Sequence, residues 1–217
     1  MGMAASKPIN YSFMISGLYA VTPDEPDTAL LLAKVESALQ GGINVLQYRN
    51  KLANHKLKTQ QARAILPLCR QYRVPFIIND SIKLCLTLDA DGVHLGGDDG
   101  DLIAARARLG ANKILGASCY NRFDLALNAQ QVGADYVAFG ACFASSTKPN
   151  APVASLDLFK QAKAQLTIPS VAIGGITLEN ASLAIAAGAN AIAVINAIFN
   201  ASDIKLTTQQ FTQLFNH

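Results

Sequence analysis

Short apolar runs separated by stretches of helical spacing recur along the whole 217-residue chain. Eight such runs read as buried strands, each short, apolar and bounded by turn residues: Leu18-Tyr19-Ala20-Val21, Asn44-Val45-Leu46-Gln47, Phe76-Ile77-Ile78-Asn79, Gly92-Val93-His94-Leu95, Lys113-Ile114-Leu115-Gly116, Tyr136-Val137-Ala138-Phe139, Ser170-Val171-Ala172-Ile173 and Ala191-Ile192-Ala193-Val194. Between them, apolar positions return at helical spacing, as in Leu30, Leu31, Val35 and Leu39, then Ala62, Ile65, Leu66 and Cys69. Gly41, Gly110, Gly133 and Gly188 each stand shortly before a strand, where a left-handed helix cap is expected.

The lead-ins to three strands resemble one another: Asp89-Ala90-Asp91-Gly92-Val93, Gly133-Ala134-Asp135-Tyr136-Val137 and Gly188-Ala189-Asn190-Ala191-Ile192. A repeated supersecondary unit is implied. Strands apolar along their whole length suit a parallel sheet covered by helices. Together these features predict an α/β protein, a single-domain (β/α)8 TIM barrel over residues 17–217 after an N-terminal extension, 1–16. A doubly wound open sheet fits less well, because Ile173-Gly174-Gly175-Ile176 follows the seventh strand and the first carries no Gly-x-Gly-x-x-Gly turn.

Composition narrows the function classes. Hydrophobic residues make up 51% and charged residues 15%, which excludes a disordered chain. No apolar run approaches the roughly 18 residues of a membrane span. The net charge of +3 comes without a dense Lys/Arg run, so neither nucleic acid nor membrane is expected as a partner; small anions are. Cys69, Cys85, Cys119 and Cys142 are far apart in sequence and form no Cys-x-x-Cys pair, which predicts buried reduced thiols. With no secretory signal at the N-terminus, a cytoplasmic location is expected.

In a TIM barrel the loops after the strands converge at one face, and the polar residues of this chain collect there. Gln47, Arg49 and Lys51 share one strand face at spacings of two, gathering an amide and two cations suited to a phosphorylated substrate. Asn79-Asp80, His94 with Gly96-Gly97-Asp98-Asp99, Ser118, Ser145-Ser146-Thr147-Lys148, Gly174-Gly175 and Asn196 follow the later strands. Asp80 with Asp98 or Asp99 offers hard oxygens for Mg2+, although each could instead cap a helix beginning near Ser81 or Leu102. Gly174-Gly175 reads either as an oxyanion cradle or as tight packing at a turn. His94, on an apolar strand, reads as a satisfied core histidine as readily as a catalytic one. Ser118 has no neighbour that would activate it as a nucleophile.

The ordered series Gln47-Tyr48-Arg49-Asn50-Lys51, Ile78-Asn79-Asp80, Asp91-Gly92-Val93-His94-Leu95-Gly96, Gly116-Ala117-Ser118, Ser145-Ser146-Thr147-Lys148-Pro149 and Ala172-Ile173-Gly174-Gly175-Ile176 resembles the thiamine phosphate synthase family over about residues 17 to 200. The resemblance implies joining of 4-amino-2-methyl-5-hydroxymethylpyrimidine diphosphate to a thiazole phosphate, giving thiamine phosphate and diphosphate. It implies contact of Gln47 with the aminopyrimidine, and of Arg49, Lys51, Asn79 and Lys148 with the diphosphate. Asp80 and Asp99 would hold Mg2+, and Ser118 would bond the leaving group or the reactive intermediate. Ser145, Thr147, Gly175, Ile195 and Asn196 would meet the thiazole phosphate. Arg49, Lys51, Ser118 and Lys148 form the implied catalytic set, the partners are the two small substrates, and a homo-oligomer stays open.

The chain departs from the family's usual pattern at Ala144-Ser145, where Pro-Thr is common, at Gly97, where Gln is common, and at Asn196, where Ser is common. Three rivals share the barrel: a thiazole tautomerase, a sugar-phosphate isomerase or epimerase, and a catalytically silent binder of thiamine precursors. Arg49, Lys51, Asp80, Asp99 and Lys148 favour the synthase, and beyond His94 no acid/base pair suggests an isomerase.

Overall fold

In a computed structural model, residues 15–96, 101–144 and 153–216 are described. Eight parallel strands close in sequence order into a barrel. They are β1 (Gly17–Val21), β2 (Val45–Tyr48), β3 (Phe76–Asn79), β4 (Gly92–Leu95), β5 (Ile114–Tyr120), β6 (Tyr136–Phe139), β7 (Ser170–Ile173) and β8 (Ala191–Val194), with β8 paired to β1. Helices α1 (Thr28–Gly41), α2 (His55–Tyr72), α3 (Ile82–Leu88), α4 (Leu102–Leu109), α5 (Phe123–Gln131), α6 (Asp157–Gln165), α7 (Ala181–Ala186), α8 (Asn196–Phe199) and α9 (Ile204–Gln213) follow the strands.

Strand alternation divides the core in two. One set of side chains, among them Leu18, Leu46, Ile78, Val93, Leu115, Val137, Ala172 and Ile192, packs outward against Leu31, Val35, Ala62, Ile65, Cys69 and Phe159 on the helices. The alternate set, Tyr19, Val21, Val45, Ile77, Ile114, Tyr136, Val171 and Ala193, fills the barrel interior. In α1 the buried stripe is Leu31, Val35 and Leu39; Leu30 falls off it and is exposed.

The repeated lead-ins have a structural cause that extends to a fourth member. Asn44, Asp91, Asp135 and Asn190 each sit just before an even-numbered strand and lock onto the strand before it. Each side chain accepts a hydrogen bond from a backbone N–H, that of Leu18 (2.9 Å), Phe76 (2.8 Å), Leu115 (2.7 Å) and Ser170 (2.9 Å) respectively. Each backbone N–H returns a bond to the carbonyl of the same residue, at 2.8, 3.0, 2.7 and 2.9 Å. The N–H groups at the starts of β1, β3, β5 and β7, which the parallel ladder leaves over, are thereby satisfied.

Three sequence expectations need correction. The left-handed cap of α1 is Gly42 (φ 93°), and Gly41 is the helix's last residue. Gly41 answers a different constraint, since a Cβ there would stand 2.5 Å from Thr208 Cβ on α9. Gly110 has positive φ (70°) but an extended ψ (−175°), outside the left-handed helical region. Gly133 and Gly188 do take positive φ. β5 runs four residues beyond the expected Gly116, to Tyr120, with a register shift against β6 between Ser118 and Tyr120.

Candidate active site

At the C-terminal ends of β2 and β3, Gln47, Asn79 and Asp80 form one hydrogen-bonded chain. Gln47 Nε2 donates to Asn79 Oδ1 (2.6 Å), and Asn79 Nδ2 donates to Asp80 Oδ2 (2.5 Å). The direction is forced from the Asp80 end. An ionised carboxylate only accepts, so Asn79 must offer its amide nitrogen there and its oxygen to Gln47. Gln47 then spends an N–H on Asn79, and among the described residues nothing donates to its Oε1, which stays available as an acceptor. Gln47 itself is buried, at 5% exposure.

Asp80 is held in an uncommon backbone state. Its φ is 61°, Ser81 N donates to Asn79 O (2.8 Å) around it, and its own N–H donates to His94 O (2.9 Å). Positive φ in a non-glycine residue carries a conformational cost and concentrates at functional sites. Helix capping does not account for this carboxylate, because Ser81 caps α3 and accepts from Leu84 N; at α4 the cap is Asp101. A partly exposed carboxylate steadied by Asn79 fits Mg2+, which takes one or two carboxylates and completes its shell with phosphate oxygens and water. Asp99, the second expected ligand, lies outside the described residues, as do Gly97, Ser145, Thr147 and Lys148. Among the described residues no group of three or more His, Cys, Asp or Glu side chains could hold a metal.

Past the end of β2 the chain is pinned to the loop after β1. Arg49 N donates to Thr22 Oγ1, which donates back to Arg49 O, both at 2.8 Å. Asp24 Oδ2 accepts from Arg49 NH1 (3.2 Å), and its Oδ1 accepts from Lys51 N (2.5 Å). Arg49 is thus oriented by Asp24, while Lys51 is exposed and tied to Asp24 through its backbone alone. The intervening residues face the other way, Tyr48 as the last residue of β2 and Asn50 just beyond the strand, which ends short of the expected run to Lys51. Tyr48 OH donates to Gln61 Oε1 (2.9 Å); Asn50 Nδ2 donates to the same oxygen (3.1 Å) and to Glu25 O (2.9 Å). They are scaffold.

Asp24 is absent from the residues expected on sequence grounds, which place polar ends on β2 through β8 and none on β1. Its signal lies in Thr22-Pro23-Asp24, directly after that strand. Against the expectation that no histidine neighbours Ser118, its Oγ on β5 lies 2.8 Å from His94 Nε2, a contact between two strands that sequence spacing does not reveal. His94 is 8% exposed and its Nδ1 meets Tyr136 OH at 2.9 Å, the satisfied core histidine that the apolar strand allowed.

After β7, Gly174 and Gly175 have φ of 98° and 65°, and Cβ atoms there would stand 2.6 Å from Ala141 Cα and 2.4 Å from Phe143 O. Both glycines are required by close approach of the loop leaving β6, which Gly174 also binds through Phe143 N (3.0 Å). Gly175 O accepts from Asn180 Nδ2 (2.9 Å). Ile195 precedes α8, and Asn196 is exposed at its first turn. The four cysteines are free and buried; burial pushes the thiols of Cys85 and Cys142 up to about 11 and that of Cys119 up to about 12.

A sequence model described as thiamine monophosphate synthase matches residues 18–198. The chain belongs to the thiamine monophosphate synthase family. It is 58% identical to thiamine-phosphate synthase of Methylobacillus flagellatus, over 93% of this chain and 96% of that one. Identity to the Aromatoleum aromaticum thiamine-phosphate synthase is 52%, over 93% and 97%. Among solved structures, thiamine phosphate pyrophosphorylase from Pyrococcus furiosus superposes with a TM-score of 0.81 at 32% identity, covering 91% of this chain and 94% of the other. A geranylgeranylglyceryl phosphate synthase from Thermoplasma acidophilum, at 16% identity and a TM-score of 0.71, shares the fold. No helix among the described residues is long and apolar enough to cross a membrane.

Proposed function

We propose that this family member is a thiamine-phosphate synthase, joining 4-amino-2-methyl-5-hydroxymethylpyrimidine diphosphate to 4-methyl-5-(2-phosphoethyl)thiazole with release of diphosphate. The observation that carries the site assignment is the Gln47–Asn79–Asp80 chain, which links an amide at the end of β2 to a carboxylate at the end of β3. Its direction supports the substrate. An outward-facing Gln47 Oε1 accepts from the exocyclic amino group of the aminopyrimidine, and the diphosphate at the other end of that substrate then falls toward Asn79, Arg49 and Lys51.

Breaking the C–O bond to diphosphate develops negative charge on the leaving oxygens and positive charge on the pyrimidine. Arg49, Lys51 and Lys148 stabilise the first, the Arg49 guanidinium being oriented by Asp24 and the Lys51 backbone anchored by the same carboxylate. Mg2+, held by Asp80 and Asp99, would supply further charge neutralisation at the diphosphate. The amino group that Gln47 orients donates electrons into the ring and supports the cation, so the protein need not offer a nucleophile. Ser118 hydrogen-bonds the departing diphosphate. Ser145, Thr147, Gly175, Ile195 and Asn196 hold the thiazole phosphate, so that the ring nitrogen meets the cation in an attacking geometry. Four reduced, buried cysteines support work in a reducing compartment, the cytoplasm.

The purified protein, given both substrates and Mg2+, is expected to release diphosphate and form thiamine phosphate in equal amounts. Absence of product with both substrates present would refute the synthase. Product formed equally well in EDTA would remove Mg2+ from the assignment.

A further inference from the structure

Below the mouth of the site, a second polar chain crosses the barrel interior. Tyr19 OH on β1 lies 2.7 Å from Tyr136 OH on β6. The Tyr136 hydroxyl is 2.9 Å from His94 Nδ1 on β4, and His94 Nε2 is 2.8 Å from Ser118 Oγ on β5. Tyr19 is 1% and Tyr136 0% exposed, and the Tyr136 and His94 rings stack with centroids 5.4 Å apart. Space for the Tyr136 ring comes from Gly116, where a Cβ would stand 2.1 Å from Tyr136 Cζ. The synthase chemistry accounts for Ser118 and for none of the other three.

The buried end decides which way the protons point. Burial holds both phenols well above their ordinary pKa, so each carries its proton. Among the described residues, Tyr19 OH has one hydrogen-bond partner, the Tyr136 oxygen. Were Tyr136 to donate to it, the Tyr19 proton would be buried with no acceptor, the costly arrangement for a hydroxyl. Tyr19 therefore donates to Tyr136. Tyr136, with that lone pair occupied, donates to His94 Nδ1. A neutral imidazole that accepts at Nδ1 carries its proton on Nε2 and gives it to Ser118 Oγ. Ser118 cannot then spend its own proton on the histidine.

We infer that Tyr19, Tyr136 and His94 are positioning residues whose directed hydrogen bonds turn the Ser118 hydroxyl outward as a donor to the leaving diphosphate. This rests on the synthase reading for the identity of the acceptor; the direction of the chain does not. In the reverse direction Ser118 would present lone pairs to an anion and oppose its departure. The chain removes that alternative before substrate arrives, which is electrostatic preorganisation of one donor.

Nitrogen-15 NMR of the histidine-labelled, ligand-free protein tests the direction without any assay of turnover. The chain has three histidines, and His94→Gln assigns the resonance. A proton on Nε2 with Nδ1 bare is expected; a proton on Nδ1 would overturn the inference. In the Tyr19→Phe/Tyr136→Phe variant, which preserves both rings and leaves neither hydroxyl orphaned, the bond that fixes Nδ1 as acceptor is gone, so an Nδ1–H population should appear beside the Nε2–H form. A tautomer population identical to the wild type's would also overturn the inference. Turnover tests the consequence: kcat should fall by about tenfold in that variant, the weight of one misdirected donor to a charged acceptor, with KM for both substrates little changed. Adding Ser118→Ala should then cost no more than Ser118→Ala alone. Multiplicative losses, or an unchanged kcat in the double variant, would refute the route through Ser118. A wild-type protein that makes no thiamine phosphate, yet shows the Nε2–H form, would fault the synthase reading and leave the direction of the chain standing.

Discussion

Gln47→Glu changes one atom's chemistry and tests the forced direction of the upper chain. In the wild type Gln47 Nε2 donates to Asn79 Oδ1 at 2.6 Å, and Asn79 Nδ2 donates to Asp80 Oδ2 at 2.5 Å. A carboxylate at position 47 cannot donate. Asn79 can turn its amide toward the new carboxylate, but its oxygen then faces Asp80; if it stays, its oxygen faces the new carboxylate. Either way one hydrogen bond is lost and two acceptors oppose each other in a buried place, at a cost of about 1–3 kcal/mol. If that cost falls on the substrate-bound geometry, kcat/KM drops by roughly 5- to 150-fold. The acceptor offered to the pyrimidine amino group survives, so a substitution judged by ring contact alone would be mild. Steady-state kinetics with Mg2+, alongside a thermal melt, separate the two views. Protonation of the introduced side chain restores a donor to Asn79, so the defect should shrink as pH falls, relative to wild type at each pH. Activity within twofold of wild type at neutral pH would refute the forced direction.

Other perturbations read other parts of the fold. Asp24→Ala removes an acceptor from both Arg49 and Lys51 N; KM for the pyrimidine diphosphate should rise about fivefold, the weight of one hydrogen bond of ~1 kcal/mol, with little change in Tm. Asp91→Ala strips the acceptor from Phe76 N, at the start of a strand that is wholly buried there, and should cost roughly 1–3 kcal/mol in urea unfolding; Asp91→Asn keeps an acceptor oxygen and should cost much less. The thiols predict an alkaline loss of stability. Burial raises the folded-state values of Cys85 and Cys142 to about 11 and of Cys119 to about 12, from 9.0, so the unfolded chain releases protons first; stability is complete below about pH 8.5 and declines as pH rises toward 11–12. Cys119→Ala should flatten that decline in urea unfolding followed against pH, and an unchanged slope would refute the assignment.

Pattern alone made the barrel legible because buried parallel strands are apolar along their whole length, and five of the expected runs match their strands residue for residue. It failed where a distant contact set the local choice. Gly41-Gly42 offers two caps, and only the approach of α9 through Thr208 tells them apart. The extension of β5 past Gly116 is hidden because Ser118 turns a polar group inward, where apolar alternation gives no cue. Three strand locks are visible as repeats, but Asn44 is not, since Gly42-Ile43-Asn44 carries Ile where the others carry Ala. Tyr19 and Tyr136 read as core, and nothing local announces that two tyrosines from opposite parts of the chain meet at 2.7 Å.

The site therefore contains two polar chains, each with one end that admits a single role. Asp80 can only accept, which makes Gln47 Oε1 an acceptor at the mouth. Tyr19 can only donate, which makes the Ser118 hydroxyl a donor there. An acceptor and a donor fixed before binding, with Arg49 held past the end of β2, complement a molecule that carries an amino group on one side and a departing anion on the other. A tautomerase acting on a thiazole phosphate has use for the second donor but none for an amino-group acceptor coupled to Asp80. The coupling of Gln47 to Asp80 through Asn79, more than any charge taken singly, is what supports aminopyrimidine diphosphate as the proposed substrate.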